Sequence, residues 1–502
     1  MAVNRIPFEI WLRISDLVGP EHSSSLYSVN RTWFTIAMDL RYKDLDLSRP
    51  DEKLLSRLDP GIAKHVGHLS VSGLALQYSL LDTIAGQKIK FPVDKIMLNP
   101  RTCASDVLNT RIRLISEVIS AATNVSEYSV KWNFREEIQS GDLIHALLQG
   151  AVLDVAWRAF GSTLRKLHVS TRPERLNAVL ASEAQLEHLQ EIHLELLHPS
   201  NGVQSIGIQD IFPDHVSSFF SRVNPHLDSL SIQSSSNLDL SSVFHQLPLF
   251  RNLKRLSLHI FLDHGVLSEL ESFFAHTALK LRHLTLSLYH AAVSSVERVL
   301  PTLAMSRACL PSLVTLEINF GLPHPELADT LLRELHDVFS GASSTLRTLI
   351  LEGIALSHAD LKSVTSTFAD RDVGDPLQSL TVSVLTLTAA HIDTLAENVP
   401  RLSALGIIFM YLSREPDGQP GGAECRELFK TAIAERRGYY PAWKLAEISI
   451  WHKSRSVDSS RWDLVLPFPA CIPTISTFFG HPIPVSQPGS VPAGMVAALT
   501  QG

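Results

Sequence analysis

One spacing recurs along this chain: an apolar residue, two variable positions, a second apolar residue, one variable position and a third apolar residue. It occurs at Leu164, Leu167 and Val169, at Leu227, Leu230 and Ile232, at Leu253, Leu256 and Leu258, at Leu281, Leu284 and Leu286, and at Leu313, Leu316 and Ile318. Leu346, Leu349 and Leu351, then Leu377, Leu380 and Val382, then Leu402, Leu405 and Ile407 continue it. The alternation that ends each copy has the period of a half-buried strand, so each copy predicts one short strand. Weaker copies begin at Val66, Val93, Val125, Leu189 and Leu445, giving thirteen predicted units separated by 25 to 43 residues. Repetition at this period is the mark of a solenoid, in which each unit buries its apolar side against its neighbours.

Between the strands the pattern turns helical. Leu327, Leu331, Leu335, Val338 and Phe339 share one helical face, and Ser357-His358-Ala359-Asp360 reads as a capping box ahead of Leu361. Strand then helix, repeated, predicts an α/β solenoid with a parallel sheet and helices outside it. The strand pattern resembles a leucine-rich repeat, which implies a horseshoe with a parallel curved sheet. That family commonly has Asn or Cys three positions after the last strand residue, and here only Asn133 stands there. An irregular leucine-rich-repeat-like array is therefore expected. Two stretches interrupt it: Ser413 to Gly422, read as a flexible insertion, and the tail from Pro467, whose seven prolines oppose regular helix and inner strand. Trp462 to Ile472 is apolar enough to cover the end of the last unit, and the rest of the tail is expected to be disordered.

The opening differs from the repeats. Pro7 suits the start of a helix, and Ile10, Ile14 and Leu17 follow at helical spacing. A second helix is expected to start among Ser23, Ser24 and Ser25, to carry Leu26, Val29, Trp33 and Ala37 on one side, and to close at Val29-Asn30-Arg31-Thr32-Trp33. Ile6-Pro7-Phe8-Glu9-Ile10, that closing stretch and Tyr42-Lys43-Asp44-Leu45-Asp46-Leu47 together resemble an F-box, although the family usually has Leu at the position of Ile6. The resemblance implies docking on the Skp adaptor of a cullin-RING ubiquitin ligase through Ile6, Pro7, Glu9, Ile10, Ile14, Val29 and Trp33. The expected domains are a small helical F-box at 1–47, the irregular repeat array at 48–466, and a partly disordered Pro-rich tail at 467–502.

Composition narrows the partners. A chain of 502 residues with 45% hydrophobic and 19% charged residues folds, and folds as several domains or as repeats. A net charge of −7 without a long basic run gives no footprint for nucleic acid or an anionic membrane. The longest nearly unbroken apolar stretch, Leu402 to Leu412, is far short of a membrane span. With no secretory leader pattern and four scattered cysteines (Cys103, Cys309, Cys425 and Cys471), the expectation is a soluble protein of the cytoplasm, the nucleus or both.

No phosphate loop, zinc helix, nucleophile elbow or dinucleotide turn occurs, so nothing specific proposes an enzyme and no cofactor or metal is expected. His65 with His68 and His188 with His193 lack a Cys or carboxylate at ligand spacing. What the strands offer is display: variable positions point away from the core in rows that include Lys166, His168, His193, Arg255, His259, His283 and Glu317, with Asn319 ending the last row. These residues form the expected face for a target protein. The resemblance implies a substrate-recognition subunit of a Skp-cullin-F-box ligase, itself without a nucleophile. The alternative is a repeat scaffold without a ubiquitin role whose first helices merely cap it, and a third, weaker reading is a hydrolase or metal enzyme hidden in the array.

Overall fold

The computed structural model describes residues 6–18, 22, 30–48, 58, 60–88, 100–133, 146–180, 185–198, 214–235, 240–261, 270, 272–274, 280–289, 312–320, 328–369, 377–416, 418, 421, 423–436, 438–453, 462–479 and 481–482. The chain forms two compact units, 1–236 with 246–252, and 237–245 with 253–502.

The first unit opens with two helices, α1 (Phe8–Val18) and α2 (Arg31–Tyr42). Six strands follow: β1 (Asp44–Asp46), β2 (His68–Ser72), β3 (Glu127–Trp132), β4 (Lys166–Thr171), β5 (Glu191–Leu196) and β6 (Ser229–Ser234). Each pairs parallel with the next, and one apolar row runs across them: Leu45, Leu69, Tyr128, Leu167, Ile192 and Leu230. All six side chains are buried. Helices α3 (Pro60–Ala63), α4 (Gly73–Lys88), α5 (Pro100–Ala121), α6 (Val155–Phe160) and α7 (Asp214–Val223) supply the returns, with a π-helical turn at Gln149–Asp154 leading into α6. Aromatic rings seal this core. Tyr128 meets Trp157 and Phe160 edge to face at 5.8 and 5.2 Å, and burial pushes its phenol far above the ordinary value.

The second unit continues the same plan with β7 (Arg255–Phe261), β8 (His283–Tyr289), β9 (Thr315–Phe320), β10 (Thr348–Leu356), β11 (Ser379–Leu387), β12 (Ala404–Leu412), β13 (Glu447–His452) and β14 (Thr477–Phe478), all parallel in chain order. A final strand, β15 (His481–Pro482), turns back antiparallel on β14. The buried row here is Leu256, Leu284, Leu316, Leu349, Leu380, Leu405, Ile448 and Phe478. Helices α8 (Ala328–Ala342), α9 (His358–Ser366), α10 (Ala389–Asn398), α11 (Ala423–Glu435), α12 (Trp462–Val465) and α13 (Phe468–Cys471) pack on the core side. The expected capping box is present: Ser357 accepts from the Asp360 N–H while the Asp360 carboxylate accepts from the Ser357 N–H. Leu335, Val338 and Phe339 are the buried side of α8, as their spacing predicts.

The fold is thus a parallel α/β repeat. Twelve of the thirteen expected units carry their strand, and the one beginning at Val93 lies outside the described residues. In several units turn backbone is held by a ladder one residue before the repeat rather than three after the strand. Thr163 donates to Val125 O at 2.9 Å, Ser312 to Leu281 O at 3.1 Å, Thr345 to Leu313 O at 2.9 Å and Thr474 to Leu445 O at 2.7 Å. Asn124 and Asn252 do the same through their amides, to Lys64 O and Pro225 O, each at 2.8 Å. At the expected ladder position, by contrast, the buried Asn133 Oδ1 takes no hydrogen bond from the described residues.

Three details add to the expected organisation. Asp44–Asp46 is the first strand of the sheet, so the opening 47 residues are not purely helical. The tail stays in the fold beyond Pro467: Phe468, Cys471, Ile472, Ile475 and Phe478 are buried, and β14 and β15 extend to Pro482. Among the described residues after β12, Gly421 N donates to Leu412 O at 3.0 Å and Ser413 Oγ to Glu415 O at 2.9 Å. Among the described residues no helix is long and apolar enough to cross a membrane.

Candidate protein-docking surfaces

The α1–α2 pair is built around two indoles. Asn30 caps α2, its Oδ1 accepting from Trp33 N at 2.9 Å, so Asn30–Trp33 opens this helix instead of closing one. The expected start at Ser23–Ser25, with Leu26 and Val29, lies outside the described residues. Trp11 and Trp33 meet at 5.8 Å with their planes 67° apart, over Ile36, with Ile14 and Val18 packed beside them. Trp33, 3% exposed, is therefore the seam of the pair and offers almost no surface to a partner.

α1 also exposes large apolar residues, on the two flanks of a polar strip of Glu9, Arg13 and Asp16. Leu17 is 85% exposed, Ile10 47% and Phe8 45%; Ile6, Leu12, Phe34 and Leu40 are exposed as well, as are Pro7 and Glu9. Of the three residues at helical spacing, Ile10 and Leu17 are exposed and Ile14 packs beside the seam that Trp11 fills. The opposite side of the pair is anchored. His65 Nδ1 bonds Asp39 Oδ1 at 2.5 Å, and Gly67 N donates to Lys43 O at 2.9 Å.

The second surface is the sheet face turned away from the buried rows. In the first unit Lys166 lies 3.6 Å from Glu191, and one register row sets His168 beside His193, rings 4.3 Å apart and edge to face. His193 Nδ1 bonds Ser231 Oγ at 2.9 Å. Burial lowers the His168 pKa, helped by Lys131 and opposed by Glu195 and Glu127, so it is neutral near pH 7.

In the second unit Arg255 and His283 share a row, and His283 Nδ1 bonds Thr315 Oγ1 at 3.0 Å. His259 Nε2 bonds Ser257 Oγ at 3.0 Å, and Thr285 Oγ1 donates to Glu317 at 3.2 Å. Burial lowers His259 against the pull of Glu317, and burial with Arg255 and Arg282 lowers His283. The expected target residues thus fall into two neighbourhoods, Lys166, His168 and His193 in one unit and Arg255, His259, His283 and Glu317 in the other. The face continues past Asn319. Asn319 Nδ2 donates to Glu352 at 3.2 Å, and burial and the Glu317 charge raise the Glu352 pKa. Farther along stand Ile408, Trp451 and Phe479, which come from three separate strands and turns and share no local spacing.

The ionisable cluster on the helical side is structural. Arg436 grips Asp393 with two 2.7 Å bonds, and Tyr440 donates to the same carboxylate. Among the described residues no three His, Cys, Asp or Glu side chains stand together as metal ligands.

No family model matches the chain, and no curated protein matches it. Among solved structures, the yeast complex of Rad7 and Elc1 is similar at 13% identity and a TM-score of 0.35, over 81% of this chain and 92% of that one. At that level the functional reading rests on geometry alone.

Proposed function

We propose that this chain is an F-box protein, the target-binding subunit of a Skp-cullin-F-box ubiquitin ligase: the α1–α2 pair docks the Skp adaptor and the repeat sheet holds a target protein. The observation that carries this reading is the set of large apolar residues that α1 leaves exposed on the flanks of its polar strip. A helix that only capped the array would need no large apolar residues beyond its buried side; here Phe8, Ile10, Leu12 and Leu17 stay exposed after Trp11 has sealed the pair. Of the expected contacts, Ile6, Pro7, Glu9 and Ile10 are exposed, Ile14 is partly buried, Trp33 lies in the seam, and Val29 is outside the described residues.

In this reading catalysis is proximity. The chain supplies no nucleophile; it raises the effective concentration of a target lysine near a ubiquitin-loaded enzyme brought by the other subunits. The scaffold reading draws on the other side of the pair, where Ile36 and Ala37 are buried and Asp39 is tied to His65. Co-expression of the full chain with the Skp adaptor, followed by size-exclusion chromatography, separates the two: co-elution supports the ligase subunit, and elution without adaptor supports the scaffold.

A further inference from the structure

The outward face of the second unit changes character along the strands. Within β9 to β13 its charged positions are Glu317, Glu352 and Glu447, all acidic; the nearest following cation, Lys453, comes after the last residue of β13. Glu317 and Glu352 are diagonal neighbours, since Glu317 pairs with Ile350 and Asn319 with Glu352. Neither has an ion pair among the described residues. Each takes one hydrogen bond from a neutral side chain, Thr285 and Asn319 respectively. Two carboxylates held close on a half-buried face repel, and burial and the Glu317 charge together raise Glu352.

Beyond them lies an aromatic platform. Ser383, Ile408 and Trp451 share a register row. The Trp451 ring lies across Gly406, where an added Cβ would stand 3.0 Å from its Cζ3, and Phe479 meets the indole edge to face at 5.8 Å. Phe479 holds a positive φ of 51°, unusual for a bulky residue, at the turn between β14 and β15. Ile408, Trp451 and Phe479 are each only partly buried, so the platform is open to a partner. Partly exposed aromatics of this kind are the usual anchors of protein interfaces.

We propose that this face is where the target docks, and that it takes an extended segment presenting a lysine or arginine to Glu317 and Glu352 and a large apolar side chain to Trp451. Charge complementarity fixes the sign of the first anchor, and the sheet fixes the spacing. Three strand separations of about 4.8 Å part β10 from β13, about 14 Å, which an extended chain spans in about four residues. The inference rests on the chain being a target receptor.

The test uses the full chain and labelled peptides on a Gly/Ser background, each with one Lys and one Phe at varied separation, read by fluorescence anisotropy. Binding is expected to peak near a separation of four and to fall about tenfold on replacing Lys by Glu or Phe by Ala. Glu317→Gln with Glu352→Gln removes the Lys preference and keeps the Phe preference; Trp451→Ala does the reverse. Peptide binding without preference for Lys over Glu, no binding by any peptide, or a Lys preference that survives both Gln substitutions overturns the proposal. Adaptor co-elution is read on the same preparation, so a chain that binds adaptor and fails here loses this inference alone.

Discussion

Trp11 and Trp33 close the N-terminal helix pair edge to face, ring centroids 5.8 Å apart, and this contact decides which side of α1 is left for a partner. Trp33→Ala empties the seam and should cost about 3 to 5 kcal/mol in the packing of the pair. Leu17→Asp, at an 85% exposed site, should change stability by less than about 0.5 kcal/mol. Limited proteolysis between α1 and α2 checks this: rapid cleavage of the Trp33 variant and wild-type resistance of the Leu17 variant are expected.

Asp393 should make the second unit acid-labile. Burial alone would raise its carboxyl, but hydrogen bonds from Arg436 and Tyr440 and the guanidinium charge outweigh this and hold it below the usual range. A carboxyl whose pKa is lower folded than unfolded stabilises the fold above the unfolded value of about 3.9, and that stability is lost as pH falls through the folded value. Asp393→Asn should flatten the pH dependence of thermal unfolding below about pH 4 and cost about 1 to 3 kcal/mol at neutral pH, because Arg436 loses its partner.

Glu352 carries the opposite sign. Burial first, then Glu317, raises its pKa, so its contribution to stability is lost as pH rises through the folded value. Glu352→Gln should therefore melt higher than wild type at pH 7, with the difference vanishing below about pH 4, where the carboxyl is protonated in both states. Calorimetry at the two pH values checks it.

Gly353 and Gly438 separate strain from crowding. Both hold positive φ, 80° and 72°, but a Cβ at Gly353 would stand 1.6 Å from Phe320 O, whereas one at Gly438 meets nothing within 4 Å. Gly438→Ala should cost about 1 to 2 kcal/mol. Gly353→Ala must also push the β9 backbone aside at the β10–β11 bulge and should cost clearly more, read as the larger fall in melting temperature.

Much of this fold was legible because each repeat writes its strand twice, as an alternation and as a fixed spacing to the apolar residue before it. Leu164, Leu167 and Val169 illustrate both, and all three are buried. β1 was hidden because only Leu45 and Leu47 mark it, directly after a helix. The ladder escaped because Asn124, Thr163, Asn252, Ser312, Thr345 and Thr474 occupy a place that His65, Lys280 and Arg401 take in other units. On α1, the polar strip of Glu9, Arg13 and Asp16 lies opposite Trp11, Ile14 and Val18, so the seam could have been read by centring the apolar side on Trp11. The Trp451 platform joins residues far apart in the chain, and only strand register brings Ile408 to Trp451.

The central claim is that the outer side of α1 binds the Skp adaptor. The most direct measurement is calorimetric titration of purified adaptor into the full-length chain, beside a variant carrying Ile10→Asp and Leu17→Asp that keeps the wild-type melting temperature. Saturable one-to-one binding by the wild type, weakened about a hundredfold or more in the variant, is the result expected. No binding by the wild type, or equal binding by both, would contradict the account.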